Sequence, residues 1–112
     1  MVPRITAEFW VKALIRRCAV ANVPALVVRR GFETAGTVLI KINRLGPGCT
    51  VLVPIHDLDG NRLWRRATGP DPVEEATADA YIEREIGRDP DLWVLEIEDR
   101  EGRHFTEEPV EG

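Results

Sequence analysis

The sequence predicts one α+β domain, because two helical patterns flank a series of short segments with strand-like alternation. The 112 residues fit a single domain and leave no room for two. Hydrophobic residues make up 44% of the chain, which is enough to bury one core. The predicted order is an N-terminal helix, a four-stranded antiparallel meander, a second helix, and a C-terminal strand or short hairpin.

The first helix is predicted over residues 7–21. Thr6 is a suitable N-cap, and Glu8 lies in the first turn, where a carboxylate favours the positive end of the helix. Apolar residues recur on one side at helical spacing, and charged residues line the opposite side. Pro24 ends the pattern, since proline disfavours helical backbone at the residue before it.

Four short segments after Pro24 are predicted to form the strands of the meander. They cover residues 25–30, 37–43, 50–56 and 62–67. The second and third alternate their side chains with the period of two that a strand requires. Because Pro54 cannot donate a ladder hydrogen bond, the third strand is expected at an edge of the sheet or to end there.

The remaining chain is predicted to add a helix and a buried strand. The second helix covers residues 71–86, and the strand that follows covers residues 92–98. Residues 103–105 are expected to pair back briefly. The domain is therefore assigned to residues 1–105, and the acidic residues 106–112 are predicted to be a frayed tail.

Charge is divided unequally along the chain, whose formal net charge is −4. Residues 1–66 carry a charge of +7 and residues 67–112 a charge of −11. Such a split is typical of a basic surface for an anionic partner. The interpretation that we favour is an acidic half that folds back on the basic half and largely neutralises its field.

No membrane or export signal is present in the pattern of residues. No window approaches the roughly 18 apolar residues that a membrane span needs. Lys12, Arg16 and Arg17 fall where a signal peptide would be apolar. We therefore expect a cytoplasmic protein with no membrane partner. Cys18 and Cys49 form no Cys-x-x-Cys motif, and two separate reduced thiols are expected.

The sequence lacks the common signatures of catalysis and metal binding. His56 and His104 are the only histidines, and neither has a second histidine or cysteine at ligand spacing. The chain contains no serine, so a Gly-x-Ser-x-Gly nucleophile elbow is impossible. Cys18 lies on the apolar face of the first helix, which is typical of an inert core thiol. No catalytic residue, metal or cofactor is predicted.

Three arginine doublets are candidates for contact with an anionic partner. Arginine near aromatic residues can bind a nucleic-acid backbone and stack on bases. The sequence pI of about 5.2 lies well below that of a dedicated nucleic-acid-binding domain. The candidate residues are Arg16, Arg17, Arg29, Arg30, Arg65 and Arg66.

A second candidate surface is apolar. When a sheet is covered on one face only, its other face is expected to be polar. Four apolar residues are nevertheless predicted on that second face: Leu39, Leu52, Trp64 and Val94. Either the two helices cover opposite faces, or part of the sheet is buried in an oligomer; we favour the oligomer.

Three stretches resemble a known family. They are residues 7–17, residues 28–31 with 35–36, and residues 89–102, which read Asp-Pro-Asp-Leu-Trp-Val-Leu-Glu-Ile-Glu-Asp-Arg-Glu-Gly. Together they resemble short alphaproteobacterial proteins catalogued as domain of unknown function 1491. The resemblance implies a bacterial, stand-alone, cytosolic domain with no assigned activity, cofactor or active site, and it supplies no functional residues.

The function hypothesis that follows is a small non-enzymatic interaction domain, which associates with itself or with a protein partner. One alternative is binding of nucleic acid or another polyanion through the arginine doublets. The other is a small enzyme of unassigned chemistry. A flat apolar patch would favour the first, a continuous positive patch the second, and a closed pocket with carboxylates or His56 the third.

Overall fold

A computed structural model describes residues 5–111, which form two helices and six strands. The elements are α1 (Ala7–Val20), β1 (Ala25–Arg29), β2 (Val38–Asn43), β3 (Cys49–His56), β4 (Arg62–Arg66), α2 (Glu75–Arg88), β5 (Trp93–Glu98) and β6 (Val110–Glu111). The predicted α+β class is therefore confirmed. The predicted N-cap of α1 is present, since the Thr6 hydroxyl accepts a hydrogen bond from the Phe9 N–H at 3.1 Å.

The strands form one mixed sheet in the order β1-β5-β2-β3-β4-β6. The predicted four-stranded antiparallel meander is wrong, because β5 lies between β1 and β2. It pairs antiparallel to β1 and parallel to β2. Four of its six positions carry buried apolar residues, as expected for a strand with neighbours on both sides. For β5 to pair parallel with β2, the chain must cross over the sheet, and the connection that contains α2 provides this crossover.

Helix α2 begins later than predicted. The segment before it pairs with the sheet, since Cys49 and Val73 exchange two backbone hydrogen bonds of 2.7 and 2.8 Å. Pro72 therefore belongs to an extended segment and does not occupy the first helical turn. The helix starts at Glu75 once this bridge has ended.

The two helices cover opposite faces of the sheet. Helix α1 buries Val11, Leu14 and Cys18 in the larger core cluster. Helix α2 buries Ala78 and Ile82 on the other side. Cys18 and Cys49 are both buried and unbridged, and they lie in separate clusters. Burial raises the pKa of both thiols.

The four residues predicted on an apolar association face do not form one. None of Leu39, Leu52, Trp64 and Val94 is more than 2% exposed. Leu52 and Trp64 pack on the α1 side, whereas Leu39 and Val94 pack on the α2 side. The strand register explains the difference, because Leu52 pairs with Ile40 and therefore shares its face. These four residues therefore do not form an exposed association face. The two helices that cover opposite faces of the sheet account for their apolar character.

The C-terminal segment predicted to fray lies against the sheet. Strand β6 pairs with β4, and the Trp64 backbone N–H donates to the Pro109 carbonyl oxygen at 2.9 Å. The indole N–H of Trp64 donates to the Glu108 carboxylate at 3.0 Å. The chain thereby covers the β4 edge of its sheet with its own C-terminus.

Residues 103–105 form no strand in the described part of the chain, contrary to the prediction. The Asp99 carboxylate instead accepts hydrogen bonds from the backbone N–H and the guanidinium of Arg103, at 2.8 and 2.9 Å. These bonds to Arg103 lower the pKa of Asp99. The resulting turn directs His104 towards the sheet, where it lines a pocket.

Candidate functional sites

The arginines of the first two doublets are used largely within the molecule. The Arg17 guanidinium donates to the Phe105 carbonyl oxygen at 3.0 Å. Arg29 donates to the Pro90 carbonyl oxygen at 2.9 Å. Arg30 pairs with the Glu8 carboxylate at 2.7 Å. Lys12 and Arg30 together lower the pKa of Glu8 to about 2. Arg16, in contrast, is exposed on α1.

The third doublet is divided between the two faces of β4. Arg65 pairs with Val53 and lies beside Tyr81 of α2. Arg66 pairs with Leu52 and lies on the opposite face. The six arginines are therefore distributed over separate surfaces, and polyanion binding through all of them stays a prediction.

Strand β1 is an uncovered edge of the sheet. It pairs with β5 on one side, and no strand of residues 5–111 pairs with its other side. Leu26, Val27 and Val28 are 48%, 38% and 54% exposed. This edge contrasts with the β4 edge, which β6 covers. An exposed apolar edge offers unpaired backbone donors and acceptors together with apolar side chains.

A groove runs between β1 and α2 on one face of the sheet. It has a volume of about 370 Å³ and is lined by Val28, Ile82, Ile86 and Val94, with charged groups at its margin. Helix α2 packs mainly over β2 and β3, so the outer strands on this face stay uncovered. The groove and the open edge together form one continuous apolar region.

A small pocket lies under the turn that follows β5, and we call it the C-terminal pocket. Its volume is about 200 Å³. Strands β2, β3 and β6 contribute its apolar floor through Ile42, Leu52 and Val110. The polar and charged side chains in its lining are Arg44, Thr50, Arg66, Glu101 and His104.

The two arginines of the C-terminal pocket are half-buried and held differently. The Arg44 Nε–H donates to the Arg100 carbonyl oxygen at 3.1 Å. Its side chain lies against Gly102, whose φ of +71° and missing Cβ allow this close approach. The Arg66 guanidinium makes no hydrogen bond or ion pair with the rest of residues 5–111.

His104 lines the C-terminal pocket and contacts Thr106 through its Nδ1. Its Nδ1 accepts from the Thr106 backbone N–H at 3.1 Å. In the neutral ring this bond leaves the proton on Nε2. Burial and the positive charge of Arg66 lower the pKa of His104, although Glu108 opposes them. The imidazole is therefore held neutral next to a cation.

A buried charge cluster lies on the α2 side of the sheet. The Lys41 ammonium lies 2.7 Å from both Glu75 and Asp79, and 3.5 Å from Glu96. Burial acts against the charge on Lys41, but its bonds to Asp79 and Glu75 and the field of Glu96 outweigh burial and raise its pKa. Within residues 5–111, no group of three histidine, cysteine or carboxylate residues is arranged to hold a metal ion.

An aromatic stack borders a wide cleft of about 740 Å³ next to the start of α1. The Arg62 guanidinium carbon lies 5.2 Å from the ring centre of Trp10 and 4.9 Å from that of Trp64. The Arg62 Nε is buried and has no hydrogen-bond partner among the described residues. His56 lines the same cleft. The stack fixes the β4 end of the sheet against α1.

Sequence reasoning singled out Arg29 at the end of β1 and Arg66 in the C-terminal pocket, but it did not identify the other residues of the open edge, the pocket or the charge cluster. The apolar run at residues 26–28 was available as a signal, but its exposure depends on which strand pairs with β1. Arg44 and His104 come together with Arg66 only after the chain has folded. None of the three is adjacent to another in sequence, so no local pattern joins them.

Comparison with known proteins identifies relatives of the same fold. The family model "protein of unknown function (DUF1491)" matches residues 5–107. A crystal structure of a DUF1491 family protein from Caulobacter crescentus CB15 has 42% identity and a TM-score of 0.87, over 96% of this chain and 99% of that one. An NMR structure of a DUF1491 family protein from the same organism has 40% identity and a TM-score of 0.85, over 99% and 100%.

A more distant relative has the same architecture. The solution structure of a protein from A. tumefaciens has 27% identity and a TM-score of 0.80, over 98% of each chain. No curated protein matches the chain. None of the helices in residues 5–111 combines the length and the apolar character needed to cross a membrane.

Proposed function

Because the chain belongs to the DUF1491 family of proteins of unknown function, we propose its function from its own surface, as an interaction domain that self-associates through β1. Two copies would pair their β1 strands antiparallel about a two-fold axis. The two six-stranded sheets would then become one continuous sheet. Its proposed location is the cytoplasm, which is supported by two buried and unbridged cysteines.

The observation that carries the proposal is the exposure of three consecutive apolar residues on an unpaired edge. Leu26, Val27 and Val28 lie in a five-residue strand whose outer side has no partner among residues 5–111. Proteins ordinarily protect such an edge with charge, proline or a covering segment. This chain protects its β4 edge with β6 and leaves the more apolar β1 edge open.

A second copy fits this edge because the strand is complementary to itself. In an antiparallel pair, the start of one strand lies beside the end of the other. With Val27 near the axis, Leu26 would therefore face Val28, and each Arg29 would face Ala25 at opposite ends of the pair. No charge would oppose a like charge, which would otherwise destabilise the pairing.

The groove beside α2 supports the same partner. Val28 lines this groove together with Ile82 and Ile86, and a second β1 strand alongside would extend its apolar wall. A two-fold pair uses both open edges at once, so the assembly closes and leaves no free apolar edge for further growth. Self-association through β1 therefore covers the exposed apolar region without forming a filament.

The test is the mass of the full chain, measured by sedimentation velocity over a range of concentrations. We expect the wild type to dimerise and Val27→Lys to weaken the dimer by roughly tenfold, equivalent to about 1.4 kcal/mol, because two lysines then meet near the axis. Leu58→Lys is the matched control, since Leu58 is fully exposed in the β3–β4 turn and away from β1. This control is expected to dimerise like the wild type.

Two results would overturn the proposal. One is a wild type that stays monomeric at every concentration. The other is a dimer that tolerates Val27→Lys as well as Leu58→Lys, because such a dimer must use another surface. A monomer that captures a foreign extended peptide along β1 would likewise replace the second copy with a heterologous partner.

A further inference from the structure

We propose that the C-terminal pocket binds a single phosphate-sized oxyanion through Arg44, Arg66 and the Nε2–H of His104. The pocket lies among β2, β3, β4 and β6 and has no part in the β1 edge. The inference is therefore independent of self-association. It rests on the donor set, the charge balance and the size of the pocket.

The donor set matches the recognition of an oxyanion. Arginine presents several N–H groups in a planar fork, which suits phosphate geometry, and charge-assisted bonds of this kind are stronger than neutral ones. The Arg66 guanidinium has no partner among residues 5–111, so its donors are available. Thr50 adds a hydroxyl to the lining.

His104 lines the same space, and in the proposal it donates to the ligand from the ring nitrogen that does not contact Thr106. Because its Nδ1 accepts from Thr106, the neutral ring carries its proton on Nε2. A neutral imidazole donor does not require the ligand to carry an extra charge. It complements two guanidinium groups, which supply the positive field.

The charge balance of the lining is positive. Among residues 5–111, Glu101 is the only carboxylate in the lining, and it is already paired with Arg103 at 3.0 Å. Arg44 and Arg66 thus lie in one pocket without an ion pair between them and any carboxylate of residues 5–111. Burial, followed by the charge of Arg66, lowers the pKa of His104, while Glu108 raises it. An anion in the pocket would relieve this unfavourable arrangement.

The size of the pocket restricts the ligand. Its volume of about 200 Å³ is a few times the share of one water molecule, which is about 30 Å³ in the liquid. A phosphate group fits this space. Pro70 and Pro72 form part of the wall and limit its movement. The shared ligand chemistry is thus one phosphate group, either free or at the end of a small phosphomonoester.

The experiment is an NMR titration of the full chain with inorganic phosphate, and separately with phosphoserine, at constant ionic strength with chloride as the competing anion. We expect saturable shifts at His104 and at neighbouring backbone amides. The pKa of His104 should also rise in the bound form, because an adjacent anion favours the imidazolium. Tighter binding of inorganic phosphate assigns a free-ion site, and tighter binding of phosphoserine assigns a phosphomonoester site.

A pair of neighbouring arginines supplies the matched variants. Arg66→Gln is expected to weaken phosphate binding by about tenfold or more. Arg65→Gln is the control, since Arg65 lies next in sequence but on the other face of β4. Arg44→Gln tests the second guanidinium if Arg66→Gln disturbs the fold. Absence of saturable shifts with either ligand, or equal losses in Arg65→Gln and Arg66→Gln, would overturn the inference.

Discussion

Lys41→Met is expected to lower the free energy of unfolding by about 2–3 kcal/mol at neutral pH. The Lys41 side chain is 6% exposed and forms two 2.7 Å ion pairs, with Glu75 and Asp79. Its removal leaves these carboxylates and Glu96 close together without a cation. The expected loss lies below the usual 3–5 kcal/mol for a broken buried pair, because Glu75 and Asp79 are more than half exposed and solvent screens them.

The matched control is Lys12→Met. Lys12 also forms a 2.8 Å ion pair, with Glu8, but its side chain is 71% exposed. An exposed pair of this kind contributes little, so a change of less than about 0.5 kcal/mol is expected. Urea unfolding of both variants and the wild type provides the comparison. An unchanged or higher stability of Lys41→Met would show that apolar burial compensates for the lost ion pairs.

The pH dependence of the free energy of unfolding is an independent test of the charge cluster around Lys41. Folding raises the pKa of Lys41 above its ordinary value of 10.5, since its carboxylate partners outweigh burial. A raised pKa means that the stabilisation is complete below about pH 10.5 and is lost as the pH rises through the folded-state pKa. The difference between wild type and Lys41→Met should therefore be constant from neutral pH to pH 10.5 and should shrink above it.

Local patterns predicted the parts of the fold that depend on neighbouring residues. The spacing of apolar residues and the Thr6 cap placed α1 within one residue of its observed end. The strand segments predicted at residues 37–43, 50–56 and 62–67 correspond to β2, β3 and β4, which pair in that order. Each of these features is fixed by contacts within a few positions along the chain, which periodicity and capping describe directly.

The position of β5 could not be predicted in this way, and several errors follow from it. Its pairing with β1 and β2 joins segments that lie far apart in sequence. Because the position of β5 in the sheet was not known, burial of part of the sheet in an oligomer was favoured over coverage by two helices. Val94 was accordingly interpreted as part of an association surface. With β5 in place, the helices cover both faces and the open region moves to the edge at β1.

The candidate sites likewise depend on both local sequence and long-range contacts, and only the local part could be predicted. Arginine doublets are visible in sequence, but alternation along β4 sends Arg65 and Arg66 to opposite faces. Arg44 was not singled out, because it gains its role only where the turn after β5 brings Gly102 and His104 beside it. A pocket assembled from several segments that lie far apart in sequence has no signature in any one of them.

Gly31→Ala is expected to lower the free energy of unfolding by about 2–3 kcal/mol, the upper part of the range for overpacking. A Cβ at this position would collide with the Asp91 carbonyl oxygen and lie 2.6 Å from the Trp93 ring. The loop cannot retreat easily, because the Phe32 N–H donates to Asp91 at 3.0 Å and the Trp93 indole donates to Phe32 at 2.7 Å. Urea unfolding monitored by tryptophan fluorescence measures the change.

The comparison that isolates the packing effect is Gly87→Ala. Nothing lies within 4 Å of a Cβ at Gly87, which is in the last turns of α2. Alanine there should stabilise the protein by about 0.5–1 kcal/mol, because it loses less backbone entropy than glycine in a helix. Opposite signs for the two variants are therefore expected from the same chemical change. If Gly31→Ala were also neutral or stabilising, the loop at residues 31–36 would have to pack less closely on Trp93 than the structure shows. The close contacts of the added Cβ are the reason for expecting a loss of stability at Gly31 and none at Gly87.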